Sequence, residues 1–208
     1  MSQAQDLSDG LAKLNLTISP EAQEKLLAYL ALLEKWNKVY NLTGIHDPRQ
    51  MVDYHLLDGL AVLPHLWSGR WLDVGCGAGL PGMILAIAKP DWTFVLLDSN
   101  SKKMGFVQQA VIQLGLKNVS VHCGRVEDYR PAELFDGIIS RAFAELGEFV
   151  RLTAALAKSG AKWAALKGHA EQELAGLPST FEIQSCVPLK VPGVAAARSL
   201  VVVKRKGE

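Results

Sequence analysis

A glycine-rich stretch between a predicted strand and a predicted helix constrains the fold of this chain more than any other feature. The apolar run Trp71–Val74 is followed by residues 75–82, and four of those eight residues are glycines. Glycine is needed where a backbone turns tightly and where a ligand must approach the backbone closely. The stretch therefore predicts a strand–turn–helix unit that binds a nucleotide. A tight turn that binds nothing is the alternative.

The chain after residue 70 alternates between short apolar runs and helical patterns. Strands that are apolar along their whole length and separated by helices are typical of a parallel sheet covered on both faces. Only a loop separates the last two strands, so we expect them to form an antiparallel pair at one edge. The pattern predicts an α/β fold with a mostly parallel, seven-stranded sheet. The predicted strands are Trp71–Val74, Thr93–Leu97, Val119–Cys123, Gly137–Ser140, Lys162–Leu166, Glu182–Val187 and Leu200–Lys204, and the helices between them are Gly82–Ala88, Ser101–Leu114 and Leu146–Ala157.

Two helical segments precede this core. Ser19-Pro20-Glu21 supplies an N-cap, a proline at the first helical position and an acidic residue near the helix N-terminus. The apolar residues that follow recur at helical spacing, which predicts that Trp36 and Tyr40 are buried. A second helix begins at Asp47-Pro48 and ends near Pro64. We therefore expect one domain, in which residues 1–68 form a helical cap and residues 69–208 form a Rossmann-like core.

The composition limits the classes of partner and compartment. Lys plus Arg number 22 and Asp plus Glu number 21, a balance that argues against coating nucleic acid by bulk charge. No apolar stretch approaches the roughly 18 residues of a membrane-spanning helix, and the N-terminus lacks the pattern of a signal peptide. The three cysteines lack the spacing of a metal or disulfide framework. We expect a cytoplasmic protein with no metal and no membrane partner.

Acidic residues around the glycine-rich stretch bear on the choice of cofactor. Residues 77–82 match the GxGxxG pattern of dinucleotide enzymes, so a nicotinamide cofactor is one candidate. Asp73, just before the stretch, would repel a pyrophosphate and could pair with the ammonium of a methionine moiety. Asp98, at the end of the second strand, suits the ribose hydroxyls of either cofactor. Glu127, after the third strand, could border an adenine, so the pattern favours S-adenosylmethionine.

Several motifs together carry a resemblance to a known family. They are the glycine-rich stretch with Asp73, Asp98, Val126-Glu127, Trp36-Asn-Lys-Val-Tyr-Asn-Leu-Thr43, His55-Leu-Leu-Asp58, Ser140-Arg-Ala-Phe143 and Leu166-Lys-Gly168. The chain resembles the RsmG (GidB) family of class I S-adenosylmethionine-dependent methyltransferases, which make 7-methylguanosine in small-subunit (16S) ribosomal RNA. The resemblance implies cofactor contacts at Gly75, Leu80, Val126, Glu127 and Arg141. With Gly77, Gly79 and Asp98 these residues form the predicted cofactor site.

The chemistry of the acceptor is consistent with this resemblance. Ser140-Arg141-Ala142-Phe143 stands where enzymes that methylate exocyclic amines usually carry an Asn/Asp-Pro-Pro-aromatic loop. We interpret Cys76 and Cys123 as packing residues rather than as the nucleophile that pyrimidine methylation at carbon five requires. Nitrogen 7 of guanine already has a free lone pair, so holding it in line with the methyl group can suffice for catalysis. No general base can be named.

Five residues are candidates for the acceptor side of the site. Arg141, at the end of the fourth strand, is expected to contact cofactor or substrate, and Arg141 and His55 are the candidate catalytic residues. The predicted substrate-binding residues are Asn41, His55, Lys167 and Arg198, with Lys167 expected to meet an RNA phosphate. Each has a structural alternative: His55 could hydrogen-bond Asp58, which shares its helix face, and Asn41 could cap a helix.

The function implied by the resemblance is methylation of small-subunit ribosomal RNA. We expect a monomer that acts on the ribosomal subunit or on an assembly intermediate. Three alternatives are a methyltransferase of a small molecule, a nicotinamide oxidoreductase and a ribosome-assembly factor without activity. A basic rim around the acceptor pocket would favour RNA, and a closed apolar cavity would favour a small molecule.

Overall fold

The computed structural model describes residues 2–168 and 176–208. A group of helices comes first, and strands alternate with helices from residue 70 onward. The helical segments are α1 (Gln3–Lys13), α2 (Pro20–Tyr40), α3 (Pro48–Met51), a π-helical stretch (Val52–Leu57), α4 (Asp58–Leu60), α5 (Gly82–Ala88), α6 (Ser101–Gln113) and α7 (Leu146–Thr153). The strands are β1 (Arg70–Val74), β2 (Thr93–Asp98), β3 (Val119–Cys123), β4 (Phe135–Arg141), β5 (Ala157–Lys167), β6 (Phe181–Pro188) and β7 (Ser199–Arg205).

The strands form one seven-stranded sheet in the order β3-β2-β1-β4-β5-β7-β6. Strands β1 to β5 are parallel to one another, whereas β7 is antiparallel to both β5 and β6. The predicted sheet and its antiparallel edge pair are therefore confirmed. The order also brings the carboxyl ends of β1, β2, β4 and β5 to the same edge of the sheet.

Two boundaries differ from the sequence prediction around α7 and β5. The helix ends at Thr153 rather than at Ala157, and a short 3-10 turn follows it. Strand β5 begins at Ala157, which pairs with Phe135 across an irregularity in the register. Pairing with β4 therefore takes Ala157 into the sheet, although its own sequence favours a helix.

Helix α1 was missed because its sequence carries only a short apolar stripe. Leu7 and Leu11 are buried, and Ser2 caps the helix by accepting a hydrogen bond from the backbone N–H of Gln5. Gly10 lets α1 approach the π-helical stretch, since a Cβ at this position would overlap the side chain of Leu57. A contact between such distant segments leaves little trace in local sequence.

Helix α2 connects the cap to the glycine-rich stretch. Tyr29 is fully buried, and its hydroxyl donates a hydrogen bond of 2.7 Å to the backbone oxygen of Ala78. The prediction that Tyr40 is buried is wrong, because this residue is 46% exposed, while Trp36 is half-buried. Tyr40 is the last residue of α2 and lies beyond the buried stripe, which ends at Asn37.

The core consists of two apolar layers, one on each face of the sheet. Alternation along β1 puts Trp71 in the layer shared with the cap and Leu72 in the layer shared with α7. None of the helices in the described part of the chain combines the length and apolarity needed to span a bilayer.

Candidate active site

Three adjoining cavities lie along the carboxyl ends of the parallel strands. The cap cavity, about 640 Å³, lies between the end of β4 and residues of the N-terminal helices. The glycine-loop cavity, about 480 Å³, lies over residues 75–80. The acidic-loop cavity, about 280 Å³, is bordered by residues 124–127 after β3. Phe143 lines all three, so they form one continuous depression where open α/β sheets bind their ligands.

The glycine-rich stretch is shaped for close approach. Gly75, Gly77 and Gly79 have φ values of +69°, +57° and +95°, a region that favours glycine. A Cβ at Gly75 would lie 2.6 Å from Cδ2 of Phe143, so a side chain there would collide with the wall shared by the cavities. Asp98 supports the stretch, because its Oδ2 accepts a hydrogen bond of 2.9 Å from the N–H of Gly77.

Asp73 lies beneath the glycine-rich stretch rather than within a cavity. It is fully buried, and its Oδ2 accepts a hydrogen bond of 2.7 Å from the N–H of Gly82. Burial raises the pKa of this carboxyl to about 7. Asp73 lines none of the three cavities. This hydrogen bond gives Asp73 a structural role, since it fastens the start of α5 to β1, and the expected contact with the ammonium of a methionine moiety stays a prediction.

The acidic-loop cavity brings together residues from three strand ends. Gly75 follows β1, Asp98 ends β2, and Val126 and Glu127 follow β3. Val126 is buried and supplies an apolar wall, whereas Glu127 is exposed at the rim. This combination of carboxylates and an apolar wall suits the ribose and base of a nucleoside.

A buried carboxylate links the two arginines that sequence analysis singled out. Asp58, at the start of α4, is 1% exposed. Its Oδ2 lies 2.9 Å from an Nη of Arg141, and its Oδ1 lies 3.0 Å from Nε of Arg198. Arg141 also donates to the backbone oxygen of Tyr54 at 3.2 Å. We call Asp58, Arg141 and Arg198 the arginine clasp. It joins the cap to the end of β4 and to the residue just before β7.

His55 faces the cap cavity as a neutral imidazole. It is buried, and its Nε2 lies 3.2 Å from the hydroxyl of Thr43 rather than against Asp58. Burial and the positive charge of Arg141 lower the pKa of His55 to about 4, so the ring is uncharged at neutral pH. Its Nδ1 has no hydrogen-bond partner among residues 2–168 and 176–208.

Lys167 and Asn41 have structural contacts that qualify their predicted RNA roles. Lys167 lines the cap cavity but is buried, and its ammonium donates a hydrogen bond to the backbone oxygen of Ala144. Its ammonium thus lies in the wall of the cap cavity, and its contact with an RNA phosphate stays a prediction. Asn41 is the left-handed C-cap of α2, with φ 48° and ψ 55°. Its side chain is exposed, and a contact with RNA stays a prediction.

Most of the predicted cofactor residues line the two smaller cavities. They are Gly75, Gly77, Leu80, Asp98, Val126, Glu127 and Arg141. Gly79 is an exception, since it packs against Met83 with 3.2 Å between Cβ of Met83 and a Cβ built at the glycine. Lys103 and Phe143 line the depression without having been assigned a role from sequence.

The cysteines have no place in an acceptor site. Cys76 is buried in the glycine-rich stretch, and burial raises the pKa of its thiol well above the ordinary value. Cys123 is exposed at the end of β3, so its interpretation as a packing residue was wrong. Within the described ranges no three His, Cys, Asp or Glu side chains cluster in a way that would hold a metal ion.

Comparison with known proteins identifies the family. Residues 22–201 match the family model described as GidB, rRNA small subunit methyltransferase G. The chain belongs to the GidB family. The ribosomal RNA small subunit methyltransferase G of Laribacter hongkongensis is 49% identical over 202 residues, which cover 97% of this chain and 98% of that protein. The protein of the same name from Nitrosospira multiformis is 47% identical over 216 residues, with full coverage of both chains.

Solved structures support the fold assignment. The O-methyltransferase TomG from Streptomyces achromogenes, in complex with SAM, aligns with a TM-score of 0.59 at 16% identity and covers 100% of both chains. TrmN from Thermus thermophilus aligns with a TM-score of 0.57 at 21% identity, over 71% of this chain and 48% of that one. The GidB chain is thus a class I methyltransferase with S-adenosylmethionine as its cofactor, and the nicotinamide alternative is set aside.

Proposed function

We propose that this GidB chain transfers the methyl group of S-adenosylmethionine to nitrogen 7 of a guanosine in 16S ribosomal RNA. The observation that carries the proposal is the continuous depression along the strand ends. In it, the acidic-loop cavity, whose lining suits a nucleoside, adjoins the glycine-loop cavity, which adjoins the larger cap cavity. The names of its relatives supply the substrate class.

The residues present fit the cofactor. The acidic-loop cavity takes the adenosine, with Asp98 accepting hydrogen bonds from ribose hydroxyls and Val126 against the base. The glycine-loop cavity takes the methionine portion, where positive φ angles and the absence of side chains at Gly75 and Gly77 permit close approach. When bound, the cofactor supplies an electrophilic methyl group on a sulfonium.

The cap cavity suits a nucleotide acceptor. Arg141, Lys167 and Arg198 line it together with the acidic Asp58 and Glu145, so three positive charges face two negative ones when His55 is neutral. A positive balance attracts the phosphates that flank a nucleoside. The charged residues in the wall of this open cavity favour RNA over the small-molecule alternative, for which a closed apolar cavity was expected.

Catalysis by this chain rests on positioning. Arg141 lines both the glycine-loop cavity and the cap cavity, and the clasp with Asp58 fixes it at their boundary. Nitrogen 7 loses no proton before attack, so the residues need only hold its lone pair in line with the methyl group. The methylated base becomes cationic, and a neutral His55 nearby avoids the repulsion that an imidazolium would impose.

The organisation of the chain follows from this proposal. Residues 1–68 act as a cap that closes the acceptor side of the Rossmann-like core within one domain. The protein works as a monomer in the cytoplasm on the ribosomal subunit or an assembly intermediate. Contacts of the cap with both Arg141 and Ala78 support this view, because they tie it to the two cavities.

The test is methyl transfer from labelled S-adenosylmethionine to small ribosomal subunits that lack the modification. We expect label in 7-methylguanosine after digestion to nucleosides. Protein-free 16S rRNA assayed in parallel identifies the preferred form of the substrate. Label in a different nucleoside, or none with either substrate, would refute the proposal.

A further inference from the structure

Two large apolar side chains are exposed side by side at the end of α2. Val39 is 71% exposed and Tyr40 is 46% exposed, which makes them two of the four large exposed hydrophobic residues in the described part of the chain. Single exposed apolar residues are ordinary, but an exposed aromatic ring next to a binding depression indicates a contact surface.

The ring of Tyr40 packs against the aromatic ring of Trp36. Its centroid lies 5.4 Å from that of Trp36 at an interplanar angle of 33°. Trp36 in turn packs on Phe106 of α6, with centroids 5.7 Å apart. Phe106 is buried in the core, so this row of tilted rings runs from the interior to the surface. Tyr40 therefore packs on Trp36 on one side while the residue stays accessible to solvent.

The chain segment after Tyr40 is also held next to the cap cavity. Buried Asn37 accepts a hydrogen bond of 2.9 Å from the N–H of Thr43 through its Oδ1, which ties the segment after α2 to the helix. Thr43 lines both the cap cavity and the glycine-loop cavity. Two residues lie between Tyr40 and Thr43, so their Cα atoms are within about 11 Å, a gap that a short run of single-stranded RNA spans.

We propose that Tyr40 is a stacking platform for an unpaired base next to the target guanosine. This inference rests on the proposed function. A guanosine must leave its own stack to enter the cap cavity, and its neighbour then needs a new partner. Aromatic rings supply such a partner without reading sequence.

The experiment uses small ribosomal subunits that lack the modification. It measures how tightly Tyr40→Ala and Tyr40→Phe bind these subunits as a function of salt concentration. We expect Tyr40→Ala to weaken binding roughly 10-fold at every salt concentration, because stacking involves no counterion release. Tyr40→Phe should bind as the parent does.

Ile112→Ala is the matched control, since Ile112 is 62% exposed on α6 and lines none of the three cavities. Affinity for S-adenosylmethionine, measured by calorimetry, should be unchanged in every variant. Tyr40→Leu, which keeps an apolar side chain without a ring, replaces Tyr40→Ala if that variant fails to fold. Unchanged subunit binding by the ringless variant, an equal loss in Ile112→Ala, or an equal loss in Tyr40→Phe would overturn the inference. If the parent protein methylates the guanosine in the same preparation, such a result leaves the proposed function standing.

Discussion

Replacing Asp58 with asparagine removes the buried carboxylate that contacts both Arg141 and Arg198 while keeping the size of the side chain. Removing one partner of a buried ion pair typically costs about 3–5 kcal/mol, because the remaining charge is left without compensation. Both arginine side chains keep 24% exposure, so water offsets part of this loss. We therefore expect the free energy of unfolding to fall by about 3 kcal/mol, at the lower end of that range.

The same variant should slow methyl transfer more than it weakens cofactor binding. Arg141 would lose its anchor at the boundary between the glycine-loop and cap cavities, and a displacement of about 1 Å of an orienting group can reduce turnover about 100-fold. The proposed cofactor contacts with the glycine-rich stretch and Asp98 do not involve Asp58. Urea unfolding, calorimetry with S-adenosylmethionine and methyl transfer on one preparation separate the three effects.

Glu182→Gln provides the comparison for Asp58→Asn. Glu182 pairs with Lys204 at 3.0 Å on the edge strands, and its side chain is 43% exposed. Exposed ion pairs contribute about 0–1 kcal/mol, so stability and turnover should stay close to those of the parent protein. If Asp58→Asn unfolds at the same urea concentration as Glu182→Gln and retains full turnover, the clasp does not position Arg141.

Three further variants test the rest of the site. Gly77→Val should abolish binding of S-adenosylmethionine, because φ at Gly77 is +57° and the new side chain would enter the glycine-loop cavity, whereas Gly105→Ala, where a Cβ meets no atom within 4 Å, should bind normally in calorimetry. His55→Gln should flatten the acid limb of the stability profile: the folded pKa of about 4 lies below the ordinary histidine value of 6.5, so the parent protein loses roughly 3 kcal/mol as pH falls from 6.5 towards 4. Unfolding curves at several pH values check this, and an identical slope in the variant would show that His55 is not the group that titrates. Lys167→Met should reduce methyl transfer to subunits with cofactor affinity within about twofold of the parent, since Lys167 lines only the cap cavity among the three; a large loss of cofactor affinity would contradict this assignment.

Local patterns were sufficient for the elements that carry the cofactor site. All seven strands of the sheet were predicted, because apolar runs broken by glycine or charged residues report burial between two layers of helix. Gly75 and Gly77 were identified for the same kind of reason, since only glycine adopts their backbone angles without strain. The position of Asp98 follows from the period of strand β2 and the rule that such sheets bind ligands at their carboxyl edge.

The acceptor side of the site depended on the tertiary structure. Asp58 meets Arg141 and Arg198 across sequence separations of 83 and 140 residues, and no local pattern reports such a pairing. His55, for which a hydrogen bond to Asp58 was one alternative, contacts Thr43 instead. Two side chains on one helix face can each pair with residues of other elements. Here Asp58 pairs with the two arginines, because charge-assisted hydrogen bonds are stronger than neutral ones.

Tertiary packing also decided which residues near the ends of helices and strands are buried. The sequence by itself determined that Asp73 lies at the end of a core strand and that Tyr40 falls on the apolar stripe of α2. Only packing decided that Asp73 is fully buried beneath the glycine-rich stretch and that Tyr40 is 46% exposed beyond the core. Periodicity records which face of a helix or strand is apolar, whereas the point at which a neighbouring element stops covering that face depends on chain segments far away in sequence.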